Sequence, residues 1–389
     1  MGPRSVRPSG SLAHAKYIWS CTGSRGCPQE KRLLPESPIR KVLVYRLGSL
    51  GDTVVALPCF HLIARTFPQA ERLLLTNFPV HAKAPASAAV LGDSGLIHGY
   101  MRYTVGTRRI GELLRLAWEI RRFRPDVVVY LMPLRPWKNI RRDRIFFRMA
   151  GVRRVVGLPG EQELKHRFDT ATGLYESEAV RLARAIAVLG DAHPEDLANW
   201  NPHLNAAEME VAASVLSPLQ GRQLIVCAPG CKMQANDWEQ ENWRALLGRL
   251  YRHYPSYGVV VAGAKEDAAM CEYAALDWPG AKLNLAGRLS PRESAAVFSH
   301  AAVFLGTDSG PKHLAACMGV PCVCVFAARD LPGVWFPPGK RNQIIYHQTE
   351  CFGCGLETCI VMEKKCIRSV TVDEMEQAVG RVLGRGVNA

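Results

Sequence analysis

Residues 41–58, KVLVYRLGSLGDTVVALP, join a short apolar run to a helical pattern through a turn that contains two glycines. The run KVLVYRL (41–47) predicts a buried strand, and the residues from Asp52 onward predict a helix. Glycine-rich turns between a strand and a helix usually bind phosphate. This turn closes on the carboxylate of Asp52 instead of a third glycine, and a negative charge is a poor neighbour for a phosphate.

The alternation of apolar runs with helical patterns continues from Arg40 to residue 327. Predicted strands cover residues 41–47, 71–77, 126–132, 223–230, 258–264, 281–287, 302–308 and 321–327. Predicted helices cover residues 52–67, 139–151, 241–254, 266–276, 291–301 and 310–319. Near-continuous apolar strands separated by helices indicate an α/β fold with parallel sheets covered on both faces.

The pattern restarts after Pro202, which predicts two doubly wound Rossmann-like domains, residues 40–203 and 204–389, facing a central cleft. Ligands of open α/β sheets bind at the carboxyl ends of the strands, so the loops there are expected around that cleft. Residues 1–39 are rich in Pro, Gly, Ser and Arg and contain no apolar core of a secretory signal. We interpret them as a disordered extension, or as residues added by an upstream start codon, and exclude them from the predicted fold.

The chain has 389 residues and no apolar run near the roughly 18 residues that cross a bilayer. A cytoplasmic location is therefore expected. The formal charge is +14, and residues 100–155 contain 15 Arg and Lys against 4 Asp and Glu. Such a cluster is either a set of solvated helix faces or a surface for an anionic membrane, glycan or nucleic acid. Nucleic acid is disfavoured because no zinc-finger or RNA-binding motif occurs.

The segment GTDSGPKHLAACMGVP (306–321) follows a buried strand and begins a helix near Pro311, capped by Ser309 or Asp308. The free N–H groups of such a helix start favour a phosphate. Gly310 permits close approach of a ligand, and His313 adds a donor one turn later. The alternative is an ordinary helix cap with a surface histidine.

Two further loops offer complementary groups for a nucleotide diphosphate. APGCKMQANDW (228–238) contains Lys232, which either approaches a pyrophosphate or is a solvated lysine. Glu266 follows another strand, where a carboxylate accepts hydrogen bonds from ribose hydroxyls. The alternative for Glu266 is an acid that complements a helix dipole.

Four segments together resemble glycosyltransferase family 9, the ADP-heptose:lipopolysaccharide heptosyltransferases. They are RLGSLGDTVVALP, PGCKMQANDW, GTDSGPKHLAACMGVP and the cysteine-bearing tail, in family order over about residues 40–380. The resemblance implies a GT-B fold, with the acceptor in the N-terminal domain and the donor in the C-terminal one. It also implies inverting, metal-independent transfer of heptose from ADP-heptose to an anionic lipopolysaccharide core, near the inner face of the cytoplasmic membrane.

The resemblance assigns roles by position. Asp52 matches the catalytic base, and Glu266 matches the ribose-binding acid. The donor-binding turn matches Asp308, Ser309, Gly310 and His313. The family's phosphate-contacting lysine falls at Asn236 here, so Lys232 is expected to substitute.

The turn at 46–52 then faces the acceptor. Gly48 and Gly51 allow close approach of a sugar, and Arg46 either orients an acidic acceptor or is a strand-end residue whose guanidinium snorkels to solvent. Asp52 meets a hydroxyl, and a helix N-terminus favours the ionised carboxylate that a base requires. Capping of the helix is compatible with that role.

Four cysteines, Cys351, Cys354, Cys359 and Cys366, occur within CFGCGLETCIVMEKKC (351–366). Four cysteines so close together can hold a structural zinc or iron ion. Reduced packed thiols and disulfides are the alternatives, since the later spacings match no common zinc finger.

Three functions remain open from the sequence. The first is the heptosyltransferase, the second uses another nucleotide sugar or a protein acceptor, and the third is a binding protein without catalysis. The third is disfavoured because a binding protein has little use for Asp52. A dehydrogenase is disfavoured because no G-x-G-x-x-G follows a strand.

Overall fold

A computed structural model describes residues 38–77, 87–103, 107, 109–160, 163 and 165–384. The predicted extension 1–39 and the terminus 385–389 lie almost entirely outside these residues. The strands are β1 (Lys41–Tyr45), β2 (Glu71–Asn77), β3 (Gly99–Tyr103), β4 (Val127–Tyr130), β5 (Val155–Val156), β6 (Phe168–Asp169), β7 (Leu174–Tyr175), β8 (Leu224–Ala228), β9 (Gly258–Val261), β10 (Lys282–Asn284), β11 (Ala301–Thr307), β12 (Cys322–Phe326) and β13 (Gln343–Tyr346).

Helices alternate with these strands. They are α1 (Leu50–Val54), α2 (Leu57–Thr66), α3 (Ala88–Leu91), α4 (Ile110–Phe123), α5 (Trp137–Met149), α6 (Glu178–Ala185), α7 (Ala206–Leu216), α8 (Gln240–His253), α9 (Ala268–Ala274), α10 (Pro291–Phe298), α11 (Gly310–Cys317), α12 (Lys365–Arg368) and α13 (Val372–Leu383). In the described ranges, no helix combines the length and the apolar character that crossing a bilayer requires.

The strands form two parallel sheets on either side of the predicted boundary at residue 203. The first has the order β3-β2-β1-β4-β5 and the second the order β10-β9-β8-β11-β12-β13. A small antiparallel pair, β6-β7, lies between them in the chain. The order reverses beside β1 in one sheet and beside β8 in the other, and such switch points form binding crevices in doubly wound folds.

The sequence pattern did not predict three strands of the parallel sheets. It also predicted one helix where the structure has two. Strand β3 begins with a glycine and contains an arginine, β5 has two residues, and β13 is a half-buried edge strand, so none resembles an apolar core run. The predicted helix 52–67 is divided between α1 and α2. Pro58 lies in the first turn of α2, where its missing N–H needs no helical acceptor.

Helices α4 and α5 cover the same face of the first sheet. Leu116 and Ile120 of α4 and Phe147 of α5 pack in one core with sheet residues such as Leu43 and Val128. The second sheet has a larger core, in which Trp238, Trp243 and Trp278 are fully buried. The outer faces of α4 and α5 therefore point away from the sheet.

A buried arginine connects the first half of the chain to the second. Arg292, at the start of α10, donates to the backbone oxygens of Val90 (2.9 Å), Pro202 (2.8 Å) and His203 (2.7 Å). Its guanidinium also forms a two-point ion pair with Glu208 on α7, at 2.5 and 2.9 Å. These bonds fix α10, which lines the cleft, relative to α3 of the first half.

Candidate functional site

A cleft of about 790 Å³ lies at the carboxyl ends of the two central strands, β1 and β8. The turn after β1 and the start of α11 both line it. From the predicted site it includes Gly48, Gly51, Asp52, Lys232, Asp308, Ser309, Gly310 and His313. The structure thus brings together eight predicted residues, although the first and the last of them are more than 260 positions apart in the chain.

The carboxylate of Asp52 is held at the start of α1. Its Oδ2 accepts hydrogen bonds from the backbone N–H and the hydroxyl of Ser49, both at 2.8 Å. The Asp52 side chain is 22% exposed, so it is held in place and still accessible from the cleft. Gly48 has φ +148°, and a Cβ there would collide with Asp52, so this turn requires glycine.

Arg46 lies beneath this turn and does not line the cleft. Its fully buried guanidinium donates to the backbone oxygens of Asp52 (2.6 Å) and Leu131 (2.8 Å). It also lies 3.4 Å from Asp52 Oδ1 and 3.6 Å from the buried carboxylate of Glu178. The expectation that Arg46 orients an acceptor does not fit this burial. Arg46 instead fixes the position of the Asp52 turn.

The start of α11 presents unused polar atoms to the cleft. Ser309 is the N-cap residue, but its hydroxyl makes no capping hydrogen bond. Among the described residues, Ser309 Oγ, Asn236 Oδ1 and His313 Nδ1 are buried without a hydrogen-bond partner. Buried polar atoms are nearly always hydrogen-bonded, so three such atoms lining one cleft point to a polar ligand. The free N–H groups of α11 favour an anionic one.

His313 also lies against the turn at Gly51 in the other half of the molecule. A Cβ placed on Gly51 would lie 2.9 Å from His313 Cδ2, and a Cβ on Gly310 would lie 3.0 Å from Leu50 Cδ2. The pKa of His313 is well below its ordinary value, because burial and the nearby charge of Lys312 both disfavour the imidazolium. At neutral pH His313 therefore offers one N–H donor and no charge.

Asp308 is neutralised by a lysine that the sequence analysis did not single out. The fully buried Lys312 donates to Asp308 Oδ1 and to the backbone oxygen of Trp335, both at 2.6 Å. Its ammonium also lies 4.4 Å from the centre of the Phe326 ring. Pairing with Lys312 reduces the repulsion that Asp308 would exert on a bound anion.

The two remaining donor-side predictions differ in placement. Lys232 is exposed and lines the cleft, as expected for a residue that approaches a pyrophosphate. Glu266 does not line it, whereas the adjacent Asp267 does and accepts a hydrogen bond from the backbone N–H of Ala264 at 2.8 Å. The acidic group at this position of the cleft is therefore one residue later than predicted.

Other loops bring to the cleft charged residues that the sequence pattern did not predict. Arg135, which forms an ion pair with Asp143 at 2.8 Å, follows β4. Arg329 and Asp330 follow β12. The pKa of Asp330 is raised, chiefly by burial and also by Asp308, while Arg329 opposes the shift. Their position after apolar strands was the available signal, because loops at strand carboxyl ends surround the cleft.

The four late cysteines line one small pocket that shares Arg329 with the cleft, and all four thiols are free of disulfides. Cys354 is exposed. Burial raises the pKa of the Cys366 thiol, and the backbone N–H of Lys364 lowers the pKa of the Cys359 thiol. Within the described residues, no group of three or more His, Cys, Asp or Glu side chains has the arrangement of a metal site. These cysteines therefore do not fit the predicted zinc or iron ion.

The depressed pKa of His313 predicts an acid-sensitive fold. Between the lowered folded pKa and the unfolded value near 6.5, the unfolded chain binds more protons, so stability is lost as the pH falls below about 6.5. We expect His313 to contribute about 1 kcal/mol to the loss between about pH 7 and pH 5.5. Urea unfolding of the wild type and of His313→Gln at both pH values measures this, since glutamine does not titrate. Equal losses in both proteins would contradict it.

Comparison with known proteins identifies the family. The family model described as glycosyltransferase family 9 (heptosyltransferase) matches residues 145–365, more than half of the chain. Lipopolysaccharide heptosyltransferase 3 of Escherichia coli is 28% identical over 127 residues, which are 32% of this chain and 36% of that protein. The aligned region thus spans about a third of that relative's length.

Solved structures share the whole architecture at low identity. A glycosyl transferase of family 9 from Veillonella parvula DSM 2008 has a TM-score of 0.69 at 16% identity, covering 91% of this chain and 100% of its own. The E. coli ADP-heptose lps heptosyltransferase II has a TM-score of 0.61 at 18% identity, covering 89% and 99%. E. coli heptosyltransferase WaaC with ADP-2-deoxy-2-fluoro heptose has a TM-score of 0.56 at 15% identity, covering 87% and 98%. The chain is therefore a glycosyltransferase with the GT-B fold and belongs to family 9, the heptosyltransferase family.

Proposed function

We propose that this enzyme transfers heptose from ADP-heptose to a lipopolysaccharide core sugar with inversion, and that Asp52 is the general base. One observation carries the proposal: Asp52 and the start of α11 line the same cleft from opposite halves of the molecule. An inverting transfer needs a base on one side of the reacting carbon and a site for the leaving diphosphate on the other. The similar E. coli proteins named above are heptosyltransferases, which supports this choice of donor.

On the acceptor side, the Asp52 carboxylate removes the proton from an acceptor hydroxyl as its oxygen attacks the anomeric carbon. Its Oδ2 is occupied by the two donors of Ser49 and its Oδ1 lies 3.4 Å from Arg46, so rotation of the carboxylate is restricted. A base held in one orientation loses little entropy on reaching the transition state. We assign Arg46 and Ser49 to positioning the base.

On the donor side, the bond from the anomeric carbon to the diphosphate oxygen breaks, and negative charge develops on the nucleotide diphosphate. In this proposal the free N–H groups of α11, the Ser309 hydroxyl and the N–H of neutral His313 stabilise that charge. Lys232 adds a full positive charge at the edge of the cleft. The proposal assigns no step to a metal ion.

Asp308 has a different role from the helix N–H groups in this proposal. Lys312 occupies its Oδ1, and Oδ2 is left to accept hydrogen bonds from sugar hydroxyls. Asp267 replaces Glu266 as the candidate partner of the ribose hydroxyls, because it lines the cleft. The acceptor is proposed to be an anionic glycolipid reached from the inner face of the cytoplasmic membrane.

A second candidate keeps the enzyme class and changes the donor nucleotide sugar or the acceptor. Asn236 favours it, because this buried amide occupies the position at which the family resemblance implies a phosphate-binding lysine. Its Nδ2 donates to the backbone oxygen of Asp308 at 3.1 Å, while its Oδ1 has no partner among the described residues. A hydrogen-bond acceptor at this point prefers a hydroxyl or an N–H over a phosphate.

A donor screen separates the two candidates. Purified enzyme is incubated with a truncated core glycolipid and, in turn, ADP-heptose, UDP-sugars and GDP-sugars, and nucleotide release is measured beside product mass. We expect turnover with ADP-heptose, with one nucleotide released for each sugar transferred. Reactions without acceptor correct for donor hydrolysis. Turnover with another nucleotide sugar and none with ADP-heptose would replace the first candidate with the second.

A further inference from the structure

Helix α4 exposes an apolar stripe on the side that faces away from its sheet. Ile110, Leu114 and Trp118 are spaced four residues apart and are 73%, 64% and 58% exposed. Residues four apart lie on the same side of a helix, so the three side chains form one continuous stripe. The core-facing side of the same helix is occupied by Leu116, Ile120 and Phe123, so the stripe is additional to what folding requires.

The neighbouring helix α5 repeats the arrangement. Ile145 and Met149, also four residues apart, are 56% and 72% exposed. Because α4 and α5 cover the same face of the first sheet, their exposed apolar side chains belong to one side of the molecule. We call the outer faces of α4 and α5 the basic apolar face.

This face also carries a dense positive charge. Its exposed basic residues are Arg109, Arg115, Arg121, Arg122, Lys138, Arg141, Arg142, Arg144 and Arg148. All three acidic side chains of the two helices already have arginine partners: Glu112 with Arg109 (3.5 Å), Glu119 with Arg115 (2.9 Å) and Asp143 with Arg135 (2.8 Å) and Arg142 (3.3 Å). Those carboxylates are therefore largely compensated, and the face is strongly cationic.

We propose that the basic apolar face docks on an anionic lipid bilayer, with Ile110, Leu114, Trp118, Ile145 and Met149 entering the interfacial region. Exposed apolar residues between arginines are typical of helices that lie in the plane of a membrane surface. Trp118 suits the headgroup level, since its indole is amphipathic, and the Arg122 guanidinium lies 5.4 Å from its ring centre. The arginines attract anionic headgroups.

The positive charge of the basic apolar face favours an anionic bilayer over a second copy of the chain as its partner. Two copies joined through this face would bring their arginines together, and like charges in close contact oppose association. An anionic bilayer instead compensates those arginines while taking up the apolar side chains. Nucleic acid supplies negative charge, but binding to phosphates gives no reason for exposed isoleucine, leucine and methionine.

Helix α5, which carries part of the face, begins beside the cleft, and this position suggests what the docking serves. The loop between β4 and α5 contributes Met132, Pro133 and Arg135 to the cleft, and Asn139 of α5 lines it directly. A glycolipid anchored in the bilayer would present its sugars close to the side of the cleft that contains Asp52. This purpose rests on the proposed function, whereas the docking itself rests on the composition of the face.

Vesicle sedimentation tests the proposal with the full chain. We expect binding to phosphatidylcholine vesicles that contain phosphatidylglycerol, much weaker binding to phosphatidylcholine alone, and loss of binding as salt screens the charges. Leu114→Gln/Trp118→Gln should weaken binding at least tenfold, because burying one large apolar side chain is worth about a tenfold change. Arg121→Gln/Arg122→Gln should weaken it about fivefold for each residue.

The matched control changes the same residue types elsewhere. Arg252→Gln/Leu276→Gln alters an exposed arginine and a 50% exposed leucine of the second half, and its vesicle binding should equal that of the wild type. All variants change exposed side chains, so urea unfolding should show equal stability. Equal vesicle binding by Leu114→Gln/Trp118→Gln and the wild type would overturn the proposal. The proposal would also be overturned if the wild type did not bind vesicles and light scattering showed that Leu114→Gln/Trp118→Gln differs from it in oligomeric state.

Activity separates this inference from the proposed function. Leu114→Gln/Trp118→Gln should transfer sugar to a water-soluble core saccharide at the wild-type rate and to a vesicle-embedded glycolipid more slowly. Failure of vesicle binding with normal transfer would overturn the docking alone. Vesicle binding without transfer from any nucleotide sugar would overturn the proposed function alone.

Discussion

Asp52→Asn is expected to lower kcat about 10²- to 10⁴-fold, the usual contribution of a general base. Asparagine retains an oxygen that can accept the hydrogen bonds from Ser49, so the turn should keep its shape. The KM for the nucleotide sugar should change little, because the proposed donor-binding groups lie on α11 and its neighbouring loops. Steady-state kinetics with saturating acceptor measures both quantities.

Glu374→Gln provides the matched control for helix capping. Glu374 accepts hydrogen bonds from the backbone N–H and the hydroxyl of Thr371, at 2.8 and 2.9 Å, just as Asp52 does from Ser49. It caps α13, and it does not line the cleft. Glu374→Gln should therefore lose comparable stability without losing kcat. If Asp52→Asn keeps full activity, or loses it only in proportion to its folded fraction, Asp52 is not the base.

Lys312→Met is expected to destabilise the fold by about 3–5 kcal/mol, the cost of removing one partner from a buried ion pair. The substitution leaves the Asp308 carboxylate without its cation and the Trp335 backbone oxygen without its donor. Urea unfolding measures the change. The same variant should also raise the KM for the nucleotide sugar, since an uncompensated Asp308 repels the diphosphate.

A double-mutant cycle separates the ion pair from simple packing. Asp308→Asn/Lys312→Met should be more stable than Lys312→Met alone, because asparagine carries no charge to compensate. The exposed pair of Lys365 and Glu350, at 3.1 Å with side chains 55% and 70% exposed, is the comparison. Lys365→Met should cost less than about 1 kcal/mol. Additive effects in the cycle would contradict an energetically important Asp308–Lys312 pair.

The sequence predicted the central parts of both sheets because their strands are uniformly apolar. The turn at 46–52 and the helix start at 308–313 follow such strands, and they form the centre of the observed cleft. Edge strands such as β13 are half-buried and give no such signal. Apolar runs in the sequence therefore predict strands best where the strands are completely buried.

The partners of individual side chains could not be predicted from local patterns. The burial of Arg46 depends on Glu178, which lies 132 positions later in the chain. The orientation of Asp267 toward the cleft, in place of Glu266, depends on the phase of a short helical turn, which a single acidic position does not define. The sequence alone is compatible with two roles for the arginines of α4, a solvated face or an anion-binding surface. Their association with exposed Leu114 and Trp118 required the structure.

The contact of Gly51 with His313 has a consequence for side reactions. The two halves approach closely there because Gly51 has no side chain: a Cβ at this position would lie 2.9 Å from His313 Cδ2. A nucleotide sugar is also open to attack by water, and a closed site disfavours that reaction. Under the proposed function, the close approach of the halves at Gly51 favours transfer of the activated sugar to an acceptor over its loss to hydrolysis.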